Sequence, residues 1–215
     1  NNGGGTIWPK KQIEEVVAVA RRHGLIVHMD GARILNAAVA AAEKAKAFAG
    51  PCDSAWLDLS KGLGCPVGAV LAGSKTFIEA AWQWKQRMGG ALRQSGVLAA
   101  AGLYALDHHV ERLAEDHANA RTLGERVGNV AGIRLDPPQI DTNIVFFDTS
   151  GTGLQAAGFC ERLLSKGVRM GAMGPSRIRA VTHHDVSADG IAEAGKAVAE
   201  IAGEARAGKH KGSSR

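Results

Sequence analysis

Residues 56–70 read Trp56-Leu57-Asp58-Leu59-Ser60-Lys61-Gly62-Leu63-Gly64-Cys65-Pro66-Val67-Gly68-Ala69-Val70. An apolar, strand-like run over Asp53–Ser60 stops at Lys61, and a second run, Val67–Ala72, begins after Pro66. The turn between them is too short for a parallel neighbour, which needs a crossover of roughly a dozen residues or more. If the two runs pair directly, they are antiparallel. The turn also places a lysine at a strand end beside two glycines, where another molecule can approach the backbone closely.

Working outward, Leu25–Asp30 is mostly apolar and ends at Gly31, as a buried strand of an α/β sheet would. Upstream, Ile13, Val16, Val17 and Ala20 fall on one helical face, with Gly24 placed to end that helix. The alanine-rich stretch Arg33–Ala49 is predicted to be helical, as is Ser74–Met88, with a break at Gly89-Gly90. Two further helices are expected over Ser95–Gly128, separated near His108-His109. The pattern then changes. Gly132–Leu135, Thr142–Phe147 and Ser176–Thr182 read as strands, and Leu154–Lys166 and Ala188–Gly203 as helices.

The fold class is therefore α/β: a mostly parallel sheet with one antiparallel strand over residues 1–107, a smaller C-terminal α+β domain over residues 108–207, and a disordered basic tail over residues 208–215.

Composition narrows the function. The chain has 215 residues, 45% hydrophobic and 22% charged, which suits a folded globular protein. Its longest uncharged apolar stretch, Gly96–Leu106, is too short to cross a bilayer, so no membrane partner is expected. The net charge is +5, but the last seven residues, K-H-K-G-S-S-R, carry three of those charges; without them the balance is +2. Acid and base are interspersed elsewhere, so no nucleic-acid partner is expected. Cys52, Cys65 and Cys160 are odd in number and lack CxxC spacing. They read as small apolar residues in a reducing compartment, pointing to a cytoplasmic protein with no metal site. No secretory leader is expected at the Asn1–Gly5 opening, which reads as the continuation of an upstream part.

Several residues could carry chemistry. A lysine held in a partly desolvated turn can form a Schiff base with a carbonyl, which makes Lys61 a candidate for pyridoxal-phosphate chemistry. Asp30 closes a strand at the rim where α/β sheets bind ligands. It could pair with a protonated ring nitrogen, or it could cap the helix opened by Asp-Gly-Ala-Arg; the spacing supports both. Arg33 follows one turn later and either faces the same place or lies on the surface. His183 and His184 are candidates for a general base, or for orienting Arg179 or bonding backbone. His28, inside a strand, reads as a packing residue; His108 and His109 read as solvated helix residues.

Four blocks in order, H-M-D-G-A-R-I-L-N-A-A, W-L-D-L-S-K-G-L-G-C-P-V-G-A-V-L-A-G, M-G-G-A-L-R-Q-S-G-V-L-A-A-A-G-L-Y-A-L and R-A-V-T-H-H-D-V-S, resemble the L-threonine aldolase (β-eliminating lyase) family of fold-type-I pyridoxal-phosphate enzymes. The resemblance implies the fold-type-I architecture with the N-terminal part of the family fold absent from this chain, pyridoxal 5′-phosphate as cofactor, and retro-aldol cleavage of β-hydroxy-α-amino acids such as L-threonine or allo-threonine to glycine and an aldehyde. By the same resemblance, Lys61 carries the cofactor as a Schiff base, Asp30 pairs with its ring nitrogen, and Arg33 lies near its phenolic oxygen. Arg93 lines the pocket or a subunit interface. Arg179 binds the substrate α-carboxylate, with Arg177 as the competitor for that role. The implied partners are a small amino-acid substrate and further copies of the chain, as a homodimer or homotetramer. Another fold-type-I reaction such as β-elimination, or a non-catalytic fragment, stays open as an alternative.

Overall fold

The computed structural model describes residues 3–212. They form two compact units, Ile7–Ala114 and residues 115–212 with residues 3–6. The division falls between Ala114 and Glu115, whereas the sequence pattern suggested 107/108, and the glycine-rich opening associates with the second unit.

In the first unit the elements run α1 (Lys10–Arg22), β1 (His28–Gly31), α2 (Ile34–Ala40), α3 (Ala45–Ala49), β2 (Ser54–Asp58), β3 (Ala69–Gly73), α4 (Lys75–Arg87) and α5 (Gly96–His108). The sheet order is β1-β2-β3. β1 runs parallel to β2, pairing Asp30 with Trp56 and Gly31 with Leu57. β3 returns antiparallel, pairing Asp58 with Ala69, as the short turn after Lys61 requires. Ile13 and Val17 of α1, Ile34 and Ala38 of α2 and Phe48 of α3 form one apolar cluster, against which Met29 and Leu57 of the sheet pack. A second cluster joins Leu59, Leu63, Cys65 and Ala105 beneath the Lys61 turn.

Several sequence expectations are corrected here. The alanine-rich stretch is two helices, α2 and α3, not one. The break has a backbone cause: Ala42 sits at φ 52, and Glu43 N–H reaches back to Ala38 O at 2.9 Å, closing α2 as a left-handed cap. The strand β1 is shorter than Leu25–Asp30, and Leu25 and Ile26 are exposed. β3 is an edge strand exposed along its whole length. Val16 is exposed on α1 while Ile13 and Val17 are buried, a narrower apolar stripe than the four-residue face predicts. Cys65 is buried, whereas Cys52 and Cys160 are only partly so.

The second unit contains α6 (Leu113–Gly128, whose first two residues belong to the first unit), β4 (Arg134–Leu135), β5 (Ile144–Asp148), α7 (Ala156–Ser165), β6 (Gly171–Ala172), β7 (Arg177–Val181) and α8 (Ala188–Gly212). The sheet order is β4-β5-β7-β6, antiparallel throughout. Period-2 alternation sends Val145 and Phe147 of β5 and Ile178 and Ala180 of β7 into one core with α6, α7 and α8. The opposite side of β5 is also covered: Ile144 and Phe146 are buried, and a side chain at Gly5 would collide with Ile144. Thr142 Oγ1 donates to Gly5 O at 2.5 Å, tying the opening segment to this sheet. The two-residue strand β6 was not anticipated. Residues 208–212, expected as tail, continue α8; residues 213–215 of that expected tail lie outside the described residues. Among the described residues no helix is long and apolar enough to cross a membrane.

Candidate active site

Parallel pairing decides where the candidate residues emerge. Asp30 lies on β1 beside its last residue, and Lys61 lies three residues beyond the end of β2. Because β1 and β2 run the same way, both residues leave the carboxyl edge of the sheet. Asp30 is not the helix cap that was one of its two readings: α2 is entered through Arg33. Its carboxylate instead accepts the Ala32 N–H at 3.0 Å, an Asx-type turn that folds the chain from strand into helix. Among the described residues its second oxygen bonds nothing.

The Lys61 turn is closed by backbone bonds: Gly64 N–H donates to Lys61 O at 3.0 Å, Cys65 N–H to Leu59 O at 3.0 Å, and Leu59 N–H to Gly68 O at 3.0 Å. Gly64 has φ 69, a conformation that glycine adopts without steric cost. Two residues that sequence reasoning did not select hold this turn. Asp58 Oδ1 accepts from Ser60 N–H at 2.6 Å, the Ser60 hydroxyl at 2.7 Å and Lys61 N–H at 3.0 Å. Its Oδ2 pairs with Lys61 Nζ. Burial pushes the Asp58 carboxyl up, but the hydrogen bonds from Lys61 and Ser60 outweigh it and hold the group below the usual carboxylate range. His109 Nδ1 meets Leu63 O at 2.6 Å, so this histidine is half-buried and structural rather than solvated. The signal for Asp58 was an acid inside the apolar run W-L-D-L. His109 gave none, since its partner is 46 residues away.

The Lys61 side chain is 38% exposed, and Nζ lies 5.2 Å from the centre of the Trp56 ring. Beside it, Gly31, Arg33, Asn36, Asp58, Gly62 and Leu63 line a small pocket, so Arg33 and Asp58 face a common space. Arg93 lies exposed between α4 and α5. His28 is exposed rather than packed, with Nδ1 2.8 Å from Ser54 Oγ.

The remaining candidates belong to the second unit. Arg177 and Arg179 project from the same side of β7, alternating with buried Ile178 and Ala180. Arg177 is committed locally: Nε lies 3.2 Å from Asp136 Oδ2, a terminal nitrogen donates to Asp136 O at 3.2 Å, and the guanidinium stacks 4.1 Å from the centre of Phe146. Arg179 makes no hydrogen bond or ion pair among the described residues. His183 and His184 follow β7 with ring centres 4.1 Å apart; their Nδ1 atoms lie 3.4 and 3.2 Å from the two oxygens of Asp185. The three side chains bring possible ligand atoms within 4.8 Å of one another, although the sequence suggested no metal. Asp116 and Thr182 brace this segment, with Thr182 Oγ1 donating to Asp116 O at 2.6 Å.

The fold has counterparts among solved structures. The fold is similar to that of threonine aldolase from Leishmania major, with a TM-score of 0.72, 18% identity, and coverage of 92% of this chain and 58% of that one. The chain is thus an α/β protein of the fold-type-I class. In sequence it is 39% identical over 193 residues to the low specificity L-threonine aldolase of Escherichia coli strain K12, covering 90% of this chain and 56% of that protein. It is 38% identical over 191 residues to low-specificity L-threonine aldolase 1 of Arabidopsis thaliana, covering 88% and 53%. The family model described as beta-eliminating lyase matches residues 1–150, and the chain belongs to that family. It spans about half the length of the curated relatives it matches.

Proposed function

We propose that this chain is part of a pyridoxal-phosphate-dependent aldolase that cleaves β-hydroxy-α-amino acids, L-threonine or allo-threonine among them, to glycine and an aldehyde. The observation that carries this reading is the emergence of Lys61 and Asp30 from one edge of paired parallel strands. The donor set fits the cofactor: a primary amine on a turn, a carboxylate with an oxygen that no described residue engages, and the Arg33 guanidinium nearby. Pyridoxal phosphate, when bound, supplies an electron sink for the charge left on Cα when a bond to it breaks.

The chain's own residues do the rest. Lys61 provides the nitrogen for covalent attachment. Asp30 would hold the cofactor's ring nitrogen in its protonated form, as a carboxylate beside a basic nitrogen does. Arg179 takes the substrate α-carboxylate in a bidentate pair, since Arg177 is already committed to Asp136 and Phe146. His183 or His184, oriented by Asp185, receives the proton of the substrate β-hydroxyl. Arg93, exposed, serves a subunit contact or a pocket completed by other chain segments. The exposed apolar residues of α4 and α5, among them Trp82, Trp84 and Leu103, suit association as a homodimer or homotetramer. The place of action is the cytoplasm, which three free cysteines favour.

The test is borohydride reduction of the full-length protein loaded with pyridoxal phosphate, followed by peptide mapping. The expected result is a pyridoxyl group on Lys61 and formation of glycine with acetaldehyde from L-threonine before reduction. Label on another lysine, or none, overturns the reading. The family description favours one second reading, β-elimination at the same site; ammonia and a keto acid in place of glycine and aldehyde would establish it.

A further inference from the structure

We propose that Asp58 is a positioning residue that restrains Lys61, holding its amine at the end of β2 so that the pair must open before the amine attacks a carbonyl. This rests on reading Lys61 as the lysine that binds the cofactor. The Asp58 side chain is only 6% exposed, and its two oxygens have separate jobs. Oδ1 builds the turn by accepting from Ser60 N–H, the Ser60 hydroxyl and Lys61 N–H. Oδ2 holds the amine itself. The amine also lies 5.2 Å from the centre of the Trp56 ring. An amine engaged in this way cannot present its nitrogen to a carbonyl carbon until the contact opens. Burial pushes the Asp58 carboxyl up, but the bonds from Lys61 and Ser60 outweigh it and hold the group below the usual carboxylate range, as the acceptor of this pair.

Asparagine at position 58 separates the two jobs. Its carbonyl oxygen can still accept the turn bonds, while its NH₂ faces the Lys61 amine as donor against donor. The probe is formaldehyde with cyanoborohydride, which requires no cofactor. The amine lone pair adds to the formaldehyde carbon, water leaves, and hydride from cyanoborohydride reduces the C=N carbon to give an N-methyl group. Modification of each lysine in the full-length protein, cleared of bound cofactor with hydroxylamine and dialysis, is read by peptide mapping, with exposed Lys11 as internal reference.

In the wild type, Lys61 is expected to react more slowly than Lys11, and high salt should reduce the difference by weakening the pair. Asp58→Asn should raise Lys61 modification roughly threefold or more relative to Lys11, while Asp58→Glu, which keeps the charge, should not. Lys61 reacting as fast as Lys11 in the wild type overturns the proposal, whether or not the Asn variant folds. Unchanged Lys61 modification in a folded Asn variant overturns it as well. Because the probe is not the cofactor, a failure here is distinguishable from failure to find pyridoxyl-Lys61.

Discussion

His109, just beyond the last residue of α5, places Nδ1 2.6 Å from the carbonyl oxygen of Leu63, inside the turn that begins at Lys61. A helix is thereby fastened to the loop that presents the candidate nucleophile, and Leu63 itself is fully buried beneath it. His109→Ala removes the donor and leaves a half-buried carbonyl unpaired, at a cost of about 1–3 kcal/mol. Thermal melting should fall by a few degrees, and cofactor loading at Lys61 should weaken with it. Unchanged melting and loading would show that the bond contributes nothing to the turn.

A tighter constraint operates one strand away. A Cβ built on Gly31 would lie 2.0 Å from the Trp56 carbonyl oxygen, a backbone atom of the neighbouring strand. Gly31→Ala must therefore push β1 away from β2, at roughly 1–3 kcal/mol or more. Since Asp30 and Lys61 share an edge only through that pairing, the variant should lose cofactor affinity although neither residue has changed. Spectrophotometric titration with pyridoxal phosphate, beside a melting curve, checks this; full affinity at a lowered melting temperature would separate the pairing from the site.

What the sequence made legible follows from how far each signal reaches along the chain. The turn at Lys61–Pro66 determines strand direction because chain length alone excludes a parallel partner. Asp30 and Lys61 were visible because strand ends are local features. The break between α2 and α3 was not: alanine is the best helix former, and only the left-handed Ala42, set by closure of α2 on Ala38, interrupts the run. The Asp58 pair with Lys61 needs the turn already folded, and the His109 contact needs α5 docked. The exposure of β3 could not be read either, since an apolar run looks the same with or without a covering layer.

Stability should depend on pH through the second unit. Burial, and secondarily the Arg121 guanidinium, lower the His117 imidazole from 6.5 to about 4. Above 6.5 the ring is neutral in both the folded and the unfolded chain. As pH falls from 6.5 towards 4 the unfolded chain takes up a proton that the folded chain refuses, so stability falls, by on the order of 3 kcal/mol at the lower end. Asp58 and Asp148, both held low, lose their contributions mainly below this window. His117→Gln should flatten the decline in melting temperature between pH 6.5 and 4.5; an unaltered slope would assign the decline to other groups.

The two arginines of β7 should separate by assay. Arg177 is held by Asp136 on one side and stacked on Phe146 on the other, so Arg177→Lys gives up a planar fit and should lower the melting temperature while leaving KM for threonine nearly unchanged. Arg179 has no such local partner among the described residues, and in the proposed role it grips the substrate carboxylate with both arms of its fork. Arg179→Lys keeps the charge but loses the fork, which at about 1.5–3 kcal/mol per charged hydrogen-bonded contact raises KM roughly ten- to a hundredfold. Melting should barely move, because Ile178 and Ala180 on the buried side of the strand are untouched. Steady-state kinetics and a melting curve on both variants decide the matter. If Arg177→Lys raises KM and Arg179→Lys does not, the carboxylate role passes to Arg177.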